Sequence, residues 1–207
     1  MCNLFALLSS QTQLALEFGD GAVVEDAVGN LPARPEIYPD QAAPIITATE
    51  TGRRIALARW GMPTPAFVLQ GRRTDRGVTN IRNTESPHWR RWLGVPHRCL
   101  VPVNAFAEPG PDGPAWFALG ADRPAACFAG IWTRWTSVRR LAEGRITADV
   151  FGFLTSEPNA EVAAIHPKAM PVLLTTAAER ALWLTAPWAE ARRLQRPLPD
   201  GELVRIG

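Results

Sequence analysis

The sequence is poor in the features that would indicate a secreted, metal-binding or membrane-spanning protein. Its 207 residues include only three cysteines, which are too few for a disulfide framework and lack the spacing of a zinc site. No apolar run approaches the roughly 18 residues of a membrane-spanning helix. The amino-terminal residues lack the basic start and the cleavage site of a secretory signal. We therefore expect a soluble cytoplasmic protein with free thiols, no membrane contact, no metal and no cofactor.

Charged residues are also scarce, at 20%, whereas 46% of the residues are hydrophobic. Disordered chains have the opposite balance, so this composition excludes disorder over most of the length. The length fits one domain of ordinary size, and the sequence has neither internal repeats nor a low-complexity linker. We therefore expect a single domain over residues 1–207.

Lysine is almost absent, because 21 of the 22 basic residues are arginine and only Lys168 is lysine. A GC-rich genome would explain this preference, but it would not explain where the arginines fall. Residues 53–98 contain ten arginines and two acidic residues, whereas residues 1–52 contain one arginine and seven acidic residues. The forked guanidinium group suits phosphate better than an ammonium group does. The arginine-rich segment 53–98 is therefore a candidate nucleic-acid surface.

Short apolar runs of strand length, bounded by Gly, Pro, Asp or Arg, dominate the sequence. They cover residues 55–60, 99–103, 115–119, 127–132 and 150–154. The runs at 115–119 and 126–132 predict a hairpin across residues 120–124.

Helical spacing appears in four short segments, at 88–93, 159–165, 176–184 and 188–194. Thr176 and Glu179 have the spacing of a capping box. Strands outnumber helices and do not alternate regularly with them. We therefore expect an α+β fold with a mixed or antiparallel, barrel-like sheet and short flanking helices, on which the helix and strand of residues 176–207 pack.

Cys2 stands directly after the initiator methionine, and its small side chain permits aminopeptidase removal of Met1. Processing would leave a free α-amine beside the thiol, and such an amine has a pKa of about 7.7–8.0, so part of it is nucleophilic at neutral pH. This pair captures an aldehyde in two steps: the amine forms a Schiff base, and the thiol then closes a five-membered thiazolidine ring. Taken alone, Cys2 is more simply a small apolar residue at the start of a strand.

Three further polar residues stand where they could serve such chemistry. His166 lies between a helical segment and an apolar run, where a side chain can reach a cleft, and imidazole transfers protons at neutral pH. Glu108 follows the apolar run 101–107, so its carboxylate is either solvated at a turn or held in a pocket with a raised pKa. Asn80 opens a polar strip in the arginine-rich segment, which either positions a sugar and phosphate or forms a turn.

Seven short motifs, in order and in register, carry a resemblance to a known family. They are Met1-Cys2-Asn3, Arg59-Trp60-Gly61, Asn80-Ile81-Arg82-Asn83-Thr84-Glu85, Arg98-Cys99-Leu100-Val101-Pro102, Phe106-Ala107-Glu108, Phe128-Ala129-Gly130-Ile131-Trp132 and Ile165-His166-Pro167-Lys168-Ala169-Met170-Pro171-Val172. Together they resemble the SRAP family, the SOS-response-associated peptidase or abasic-site processing proteins. The resemblance covers positions 1 to about 175.

The resemblance implies an enzyme of DNA repair that binds single-stranded DNA containing an abasic site, whose open sugar presents an aldehyde at C1′. Cys2, freed of Met1, would form a thiazolidine DNA–protein crosslink that shields the lesion. Asn80 would hold the crosslinked end, Glu108 would activate the amine, and His166 would shuttle protons during ring opening and reversal.

Contacts to the strand would come from the arginine-rich segment. Arg82 stands at a phosphate-contacting position of the family, whereas Asn3 and Leu4 replace a glycine and an arginine of many members. Phe67 is the candidate for the aromatic ring that stacks on a base. The expected DNA contacts are Arg59, Trp60, Phe67, Arg72, Arg73, Arg76 and Arg82. We expect a monomer without an obligate protein partner, associated with the nucleoid when it is bound to DNA.

Two other functions are compatible with the sequence. The first is an N-terminal-nucleophile peptidase or amidohydrolase, in which Cys2 attacks an acyl group, its own α-amine is the base, and Met1 is removed by the protein itself. The second is a non-covalent single-strand binder that uses arginines and some of the eight tryptophans. The tryptophans that stand in apolar runs are instead expected in the core: Trp60, Trp116, Trp132 and Trp183.

Overall fold

The computed structural model describes residues 2–206. Within them the strands are β1 (Leu4–Leu7), β2 (Val23–Asp26), β3 (Arg34–Ile37), β4 (Ala42–Ala48), β5 (Gly52–Trp60), β6 (Asn80–Ile81), β7 (Arg98–Val103), β8 (Ala105–Gly110), β9 (Gly113–Ala118), β10 (Ala126–Val138), β11 (Arg145–Ser156), β12 (Met170–Pro171), β13 (Leu173–Leu174) and β14 (Val204–Ile206). The helices are α1 (Gln11–Phe18), α2 (Ala66–Leu69), α3 (Pro87–Arg90), α4 (Ala160–Ala163), α5 (Ala177–Thr185) and α6 (Trp188–Ala191), with 3₁₀ turns at Val95–His97 and Arg192–Leu194. None of the helices in this part of the chain is long and apolar enough to cross a membrane.

Five strands close into a barrel. β5 pairs with β4, β4 with β7, β7 with β10 and β10 with β11, all antiparallel. β11 then returns to β5 in a parallel pairing that sets Val150 opposite Arg59 and Phe151 opposite Trp60. Closure occupies strand edges that an open sheet would leave unpaired. The short strands β2, β6, β12 and β13 extend this sheet. The predicted α+β fold with a mixed, barrel-like sheet is confirmed.

A second sheet, antiparallel and in the order β14-β9-β8-β1-β3, lies against the barrel. Aromatic rings join the two sheets. Phe5 of β1 packs edge-on against Trp60 and Phe128, with ring centroids 5.1 and 5.8 Å apart. These contacts anchor β1, and with it Cys2 and Asn3, to the core of the protein.

The predicted hairpin between 115–119 and 126–132 is wrong. The first run lies in β9, which pairs with β8 across a turn between Gly110 and Gly113. The second run lies in β10 of the barrel, where it pairs with β7 and β11. Both runs are strands, but the chain passes from one sheet to the other between them. Strand propensity says little about which partner a strand finds, because that choice depends on packing with distant segments.

Four of the six helices in residues 2–206 form in the segments that the sequence predicts, whereas α1 and α2 were not predicted. At α5, Thr176 Oγ1 accepts a hydrogen bond from Glu179 N, and Glu179 Oε2 accepts one from Thr176 N, both at 3.2 Å. This is the predicted capping box. Trp183 of α5 is fully buried, and its indole N–H donates to the carbonyls of Cys99 and Gly130. Since β14 also pairs with β9, the C-terminal segment contacts the barrel through α5 and extends the second sheet through β14.

Candidate functional site

Cys2, Asn80, Glu108 and His166 are distant in sequence but lie together where β1, β6 and β8 meet the loop after α4. The Asn80 Nδ2 group donates to the Cys2 carbonyl oxygen at 2.8 Å. His166 Nδ1 lies 3.6 Å from Glu108 Oε2. The Glu108 carboxylate is near enough to Cys2 to raise the pKa of its thiol electrostatically. The structure thus brings the four side chains into one cluster, the Cys2 cluster.

Strand register accounts for this meeting. Leu4 of β1 pairs with Ala107 of β8, so Cys2 and Asn3, which precede β1, run beside Glu108. Asn80 begins β6, which lies parallel to β11 with Asn80 opposite Phe153. Strands thus place Asn80 and Glu108 and align Cys2 with them, whereas His166 comes from the loop between α4 and β12.

The Cys2 side chain is fully buried, and its Sγ donates to the Leu4 carbonyl oxygen at 3.5 Å. Burial raises the pKa of the thiol well above its usual value, and the nearby charge of Glu108 raises it further. The sulfur is therefore a neutral thiol at physiological pH, and a thiol is a much weaker nucleophile than a thiolate. A reaction that began with thiolate attack would be disfavoured here.

Glu108 is a carboxylic acid in the interior, with only 1% of its surface exposed. Burial raises the pKa of its carboxyl group, and positive charge nearby, that of His166 included, acts in the opposite direction. A carboxyl group whose pKa is raised exchanges protons more readily near neutral pH than an ordinary surface glutamate does. The position suits a general acid or base.

The His166 ring is oriented by the backbone. Its Nδ1 lies 3.0 Å from the Ala169 carbonyl oxygen, and because a carbonyl only accepts, Nδ1 carries the proton of this bond. Nε2 is then the proton-accepting nitrogen of the neutral ring. The ring and the Glu108 carboxylate are neighbouring titratable groups beside Cys2.

Asn80 fixes the backbone at Cys2 and retains an unused acceptor. Its Nδ2 group donates to the Cys2 carbonyl and to Thr79 Oγ1, both at 2.8 Å. Its Oδ1 atom is buried and has no hydrogen-bond partner within residues 2–206. Buried amide oxygens are nearly always hydrogen-bonded. The Asn80 oxygen is therefore a buried acceptor whose hydrogen-bonding capacity the described residues leave unused.

A cleft of about 670 Å³, here called the Cys2 cleft, opens beside the cluster. Its polar lining consists of Asn3, Arg76, Thr79 and Glu108. The rest of the lining is largely apolar and comprises Leu4, Tyr38, Pro39, Gly77, Ala107, Pro109, Gly110, Gly113 and Pro114. Apolar walls with a few polar groups are typical of a binding site.

Several of the expected DNA contacts lie at the surface. Arg76 lines the Cys2 cleft, and Arg72 and Arg73 are exposed nearby in the sequence. Phe67 of α2 is 78% exposed, so its ring is open to stacking. Arg82 is exposed and forms an ion pair with a surface glutamate, with 3.0 Å between the charged atoms.

Two expected DNA contacts are contradicted by the structure. Trp60 is fully buried in the barrel core and its indole donates to the Thr79 carbonyl, so its ring cannot stack on a base. The Arg59 side chain is 13% exposed and its guanidinium donates to the carboxylates of Asp40 and Glu143. The Arg59 guanidinium is therefore already paired with carboxylates of the protein and is not available to a DNA phosphate. The expectation of a core position is correct for Trp60.

Sequence reasoning misses two residues near the cleft. Tyr38, the only tyrosine of the chain, is partly exposed in the cleft wall. Arg139 is 5% exposed and lies in a second cleft that adjoins the first. Neither stands in a recognisable motif, and Arg139 lies outside the arginine-rich segment. Within residues 2–206, no group of three or more His, Cys, Asp or Glu side chains could hold a metal ion.

Several solved structures share this fold across the whole chain. A protein of Bordetella bronchiseptica is 23% identical, with a TM-score of 0.72 and 100% of both chains covered. A protein of Bacteroides thetaiotaomicron is 20% identical, with a TM-score of 0.75, and the match covers 99% of this chain and 90% of the other. A phage-related protein of Bordetella bronchiseptica is 19% identical, with a TM-score of 0.70, and the match covers 99% of this chain and 93% of the other. At these identities the likeness shows the fold alone.

Sequence comparison gives the family. No curated protein is detectably similar to the chain. The model of one protein family, described as SOS response associated peptidase (SRAP), matches residues 1–206. The match includes every motif of the Cys2 cluster and extends through the C-terminal strand. The chain therefore belongs to the SOS response associated peptidase family, whose name ties it to the response to DNA damage.

Proposed function

We propose that this protein captures abasic sites in single-stranded DNA covalently, through a thiazolidine formed by Cys2. The family supports a role associated with DNA damage. The observation that carries the finer proposal is the setting of Cys2. Its carbonyl group is held by Asn80, and the buried carboxyl group of Glu108 lies beside it at the edge of an open cleft.

The reaction begins at the α-amine of Cys2. Removal of Met1, which lies outside the described residues, frees this amine. Its nitrogen adds to the C1′ aldehyde of the open abasic sugar, and loss of one water leaves an imine. The sulfur then adds to the imine carbon, and the thiol proton passes to the nitrogen, which closes the five-membered ring. No oxidant or cofactor is needed.

The surrounding groups move the protons. Glu108 takes a proton from the α-ammonium group and leaves the nucleophilic amine, while His166 serves proton transfer at the sugar oxygen. The raised pKa of the Cys2 thiol suits this order of events, because the sulfur keeps its proton until the imine nitrogen can receive it. Asn80 holds the Cys2 carbonyl, and so the crosslinked end, in place.

The strand that carries the lesion contacts the arginine-rich segment. Arg72, Arg73, Arg76 and Arg82 bind backbone phosphates, and Phe67 stacks on a base. Their exposure, and the position of Arg76 in the Cys2 cleft, support this assignment. Each phosphate contact on a single strand releases counterions and contributes a slope of about −0.7 to the salt dependence of binding.

A second candidate function is cleavage of an acyl substrate by Cys2 as an N-terminal nucleophile. The family description, which names a peptidase, favours it, and self-removal of Met1 would be its simplest form. The raised pKa of the buried thiol counts against it, because an acyl transfer of this kind begins with attack by the sulfur.

A denaturing gel with an abasic-site oligonucleotide tests the proposal against both alternatives. We expect a heat-stable shifted band for the natural protein, no band for Cys2→Ala, and an undiminished band for Cys99→Ala. Cys99 is an equally buried thiol outside the Cys2 cluster, so its variant is the matched control. An oligonucleotide without an abasic site should give no band. A peptidase or a non-covalent binder would give none with either oligonucleotide.

The mass of the active protein is an independent test. The mechanism requires a chain that begins at Cys2, because an amide-linked Met1 would block the amine. Intact mass spectrometry of a crosslinking-competent preparation should show the loss of one methionine. A fully active preparation that retains Met1 would contradict the mechanism.

A further inference from the structure

We propose that Arg76, Arg139 and Arg140 form a phosphate subsite beside the Cys2 cleft, which binds the backbone of the strand that leads away from the lesion. This inference rests on the proposed function. Its site is a second cleft of about 370 Å³, lined by Pro39, Asp40, Thr74, Arg76, Arg139 and Arg140. Because Pro39 and Arg76 line both clefts, the second cleft adjoins the first.

The first observation is the state of Arg139. Its guanidinium donates to the carbonyl oxygens of Asp75, at 3.2 Å, and of Gly61. No carboxylate within residues 2–206 lies within ion-pair distance of it, although the side chain is buried and the charges of Asp75 and Asp40 partly offset the cost of that burial. Burying a charge is costly unless it is paired. An anion in the second cleft would supply the compensating charge.

The second observation is the room made for this guanidinium. Gly77 has a φ of +78° and Gly61 a φ of +142°, and both pack against Arg139 Nη1. A Cβ atom at Gly77 would overlap that nitrogen. The fold therefore places two neighbouring glycines against one nitrogen of a buried cation, and the loop that contains Gly77 also supplies Arg76.

The third observation is the balance of charge at the cleft. Asp40 is the one acidic residue in its lining, and Arg59 already donates to both of its carboxylate oxygens at 2.7 Å. Arg140 shares the same carboxylate at 3.1 Å, but its side chain is 69% exposed. Because such an exposed ion pair contributes little stability, the Arg140 guanidinium can leave Asp40 and bind a phosphate group instead.

A phosphodiester fits these groups. Guanidinium forks bind phosphate oxygens in pairs, and three of them surround this cleft. With the abasic sugar at Cys2, the strand passes Arg76, which lines both clefts, and its next phosphates reach Arg139 and Arg140. The subsite thus binds the DNA backbone beside the lesion, and this binding does not depend on base sequence.

The experiment measures binding of an undamaged single-stranded oligonucleotide by fluorescence anisotropy at several salt concentrations. Arg140→Gln is the test variant. Arg134→Gln is the matched control, because Arg134 is 70% exposed and pairs with a single aspartate, Asp149, at 3.3 Å. We expect Arg140→Gln to weaken binding about tenfold and to make the logarithmic salt slope shallower by about 0.7. Arg134→Gln should match the natural protein, and Arg76→Gln should resemble Arg140→Gln.

Equal affinity of Arg140→Gln and Arg134→Gln would overturn the subsite. Calorimetric titration with inorganic phosphate distinguishes a free anion from a strand. If Arg140→Gln loses phosphate binding but keeps its DNA affinity, the site binds a free anion, and the proposal that it binds the DNA backbone is overturned. Because undamaged DNA cannot crosslink, these outcomes do not depend on the chemistry at Cys2. Failure to crosslink an abasic site would instead contradict the proposed function alone.

Discussion

The carboxyl group of Glu108 governs the acid–base chemistry that we propose at Cys2. If it accepts the ammonium proton, Glu108→Gln should slow crosslinking by about ten- to a thousandfold, the usual range for a lost acid–base group. Affinity for undamaged single-stranded DNA should stay nearly unchanged. Crosslinking rate, DNA affinity and melting temperature should be measured on the same variant. A common loss of all three would indicate that Glu108 only packs in the core.

His166 should affect both directions of the reaction. A group that is a general acid in ring formation is a general base in reversal, so His166→Ala should slow formation and reversal together, within the same range. Formation is measured by gel, and reversal by transfer of a purified crosslink to a competing aldehyde. His97, which contacts the backbone carbonyl of Trp132, offers the control His97→Ala. An effect on only one direction would remove His166 from this role.

The raised pKa of Glu108 also predicts how stability depends on pH. Glu108 binds its proton more tightly in the folded protein than in the unfolded chain. Its contribution to the stability of the fold therefore improves as the pH falls through the raised pKa toward 4.5. Above that pKa the buried carboxylate is charged, and its full cost to the stability of the fold is present. Glu108→Gln should therefore melt at a higher temperature than the natural protein at pH 8, and the difference should shrink toward pH 4.5. A lower melting temperature for the variant at pH 8 would contradict this sign.

Among the elements, the loop between α2 and β6 offers a matched pair of glycines. Gly71 and Gly77 have nearly equal φ values, +75° and +78°, but a Cβ atom meets nothing at Gly71 and overlaps Arg139 and Gly61 at Gly77. Gly71→Ala should cost about 1 kcal/mol through backbone strain alone. Gly77→Ala should cost a further 1–3 kcal/mol or so through overpacking. Denaturant unfolding of both variants measures the difference. Equal losses of unfolding free energy would show that the neighbours of Gly77 move aside without an energetic cost.

At the scale of the whole molecule, the C-terminal segment is part of the fold. Trp183 is fully buried between α5 and the barrel, whereas its neighbour Trp188 is only partly buried. Trp183→Ala should lower the free energy of unfolding by about 3–5 kcal/mol, and Trp188→Ala by clearly less. Arg180 of α5 also pairs with Asp20, just after α1, which ties α5 to this N-terminal part of the fold. Equal losses for the two tryptophan variants would contradict this view of α5.

Much of the local structure can be predicted from the sequence. The capping box of Thr176 and Glu179, the short strands and the helix before His166 depend on residues a few positions apart, and the structure confirms them. The four residues of the Cys2 cluster come from short motifs that match the family in register, and the structure brings them together. What the motifs could not provide is the distance between the side chains, since Asn80 and Cys2 meet only through the pairing of β6 with β11 and of β1 with β8.

Composition and short-range pattern by themselves determined that this chain has one α+β fold rich in strands, a cysteine at position 2 and a segment dense in arginine. Only the tertiary structure decided that β9 pairs with β8 rather than β10, that Trp60 belongs to the core, and that Arg59 faces carboxylates while Arg139 faces a cleft. The physical reason is the same in each case. A residue's type sets what it can bind or bury, but its partners are brought to it by strands from distant parts of the chain.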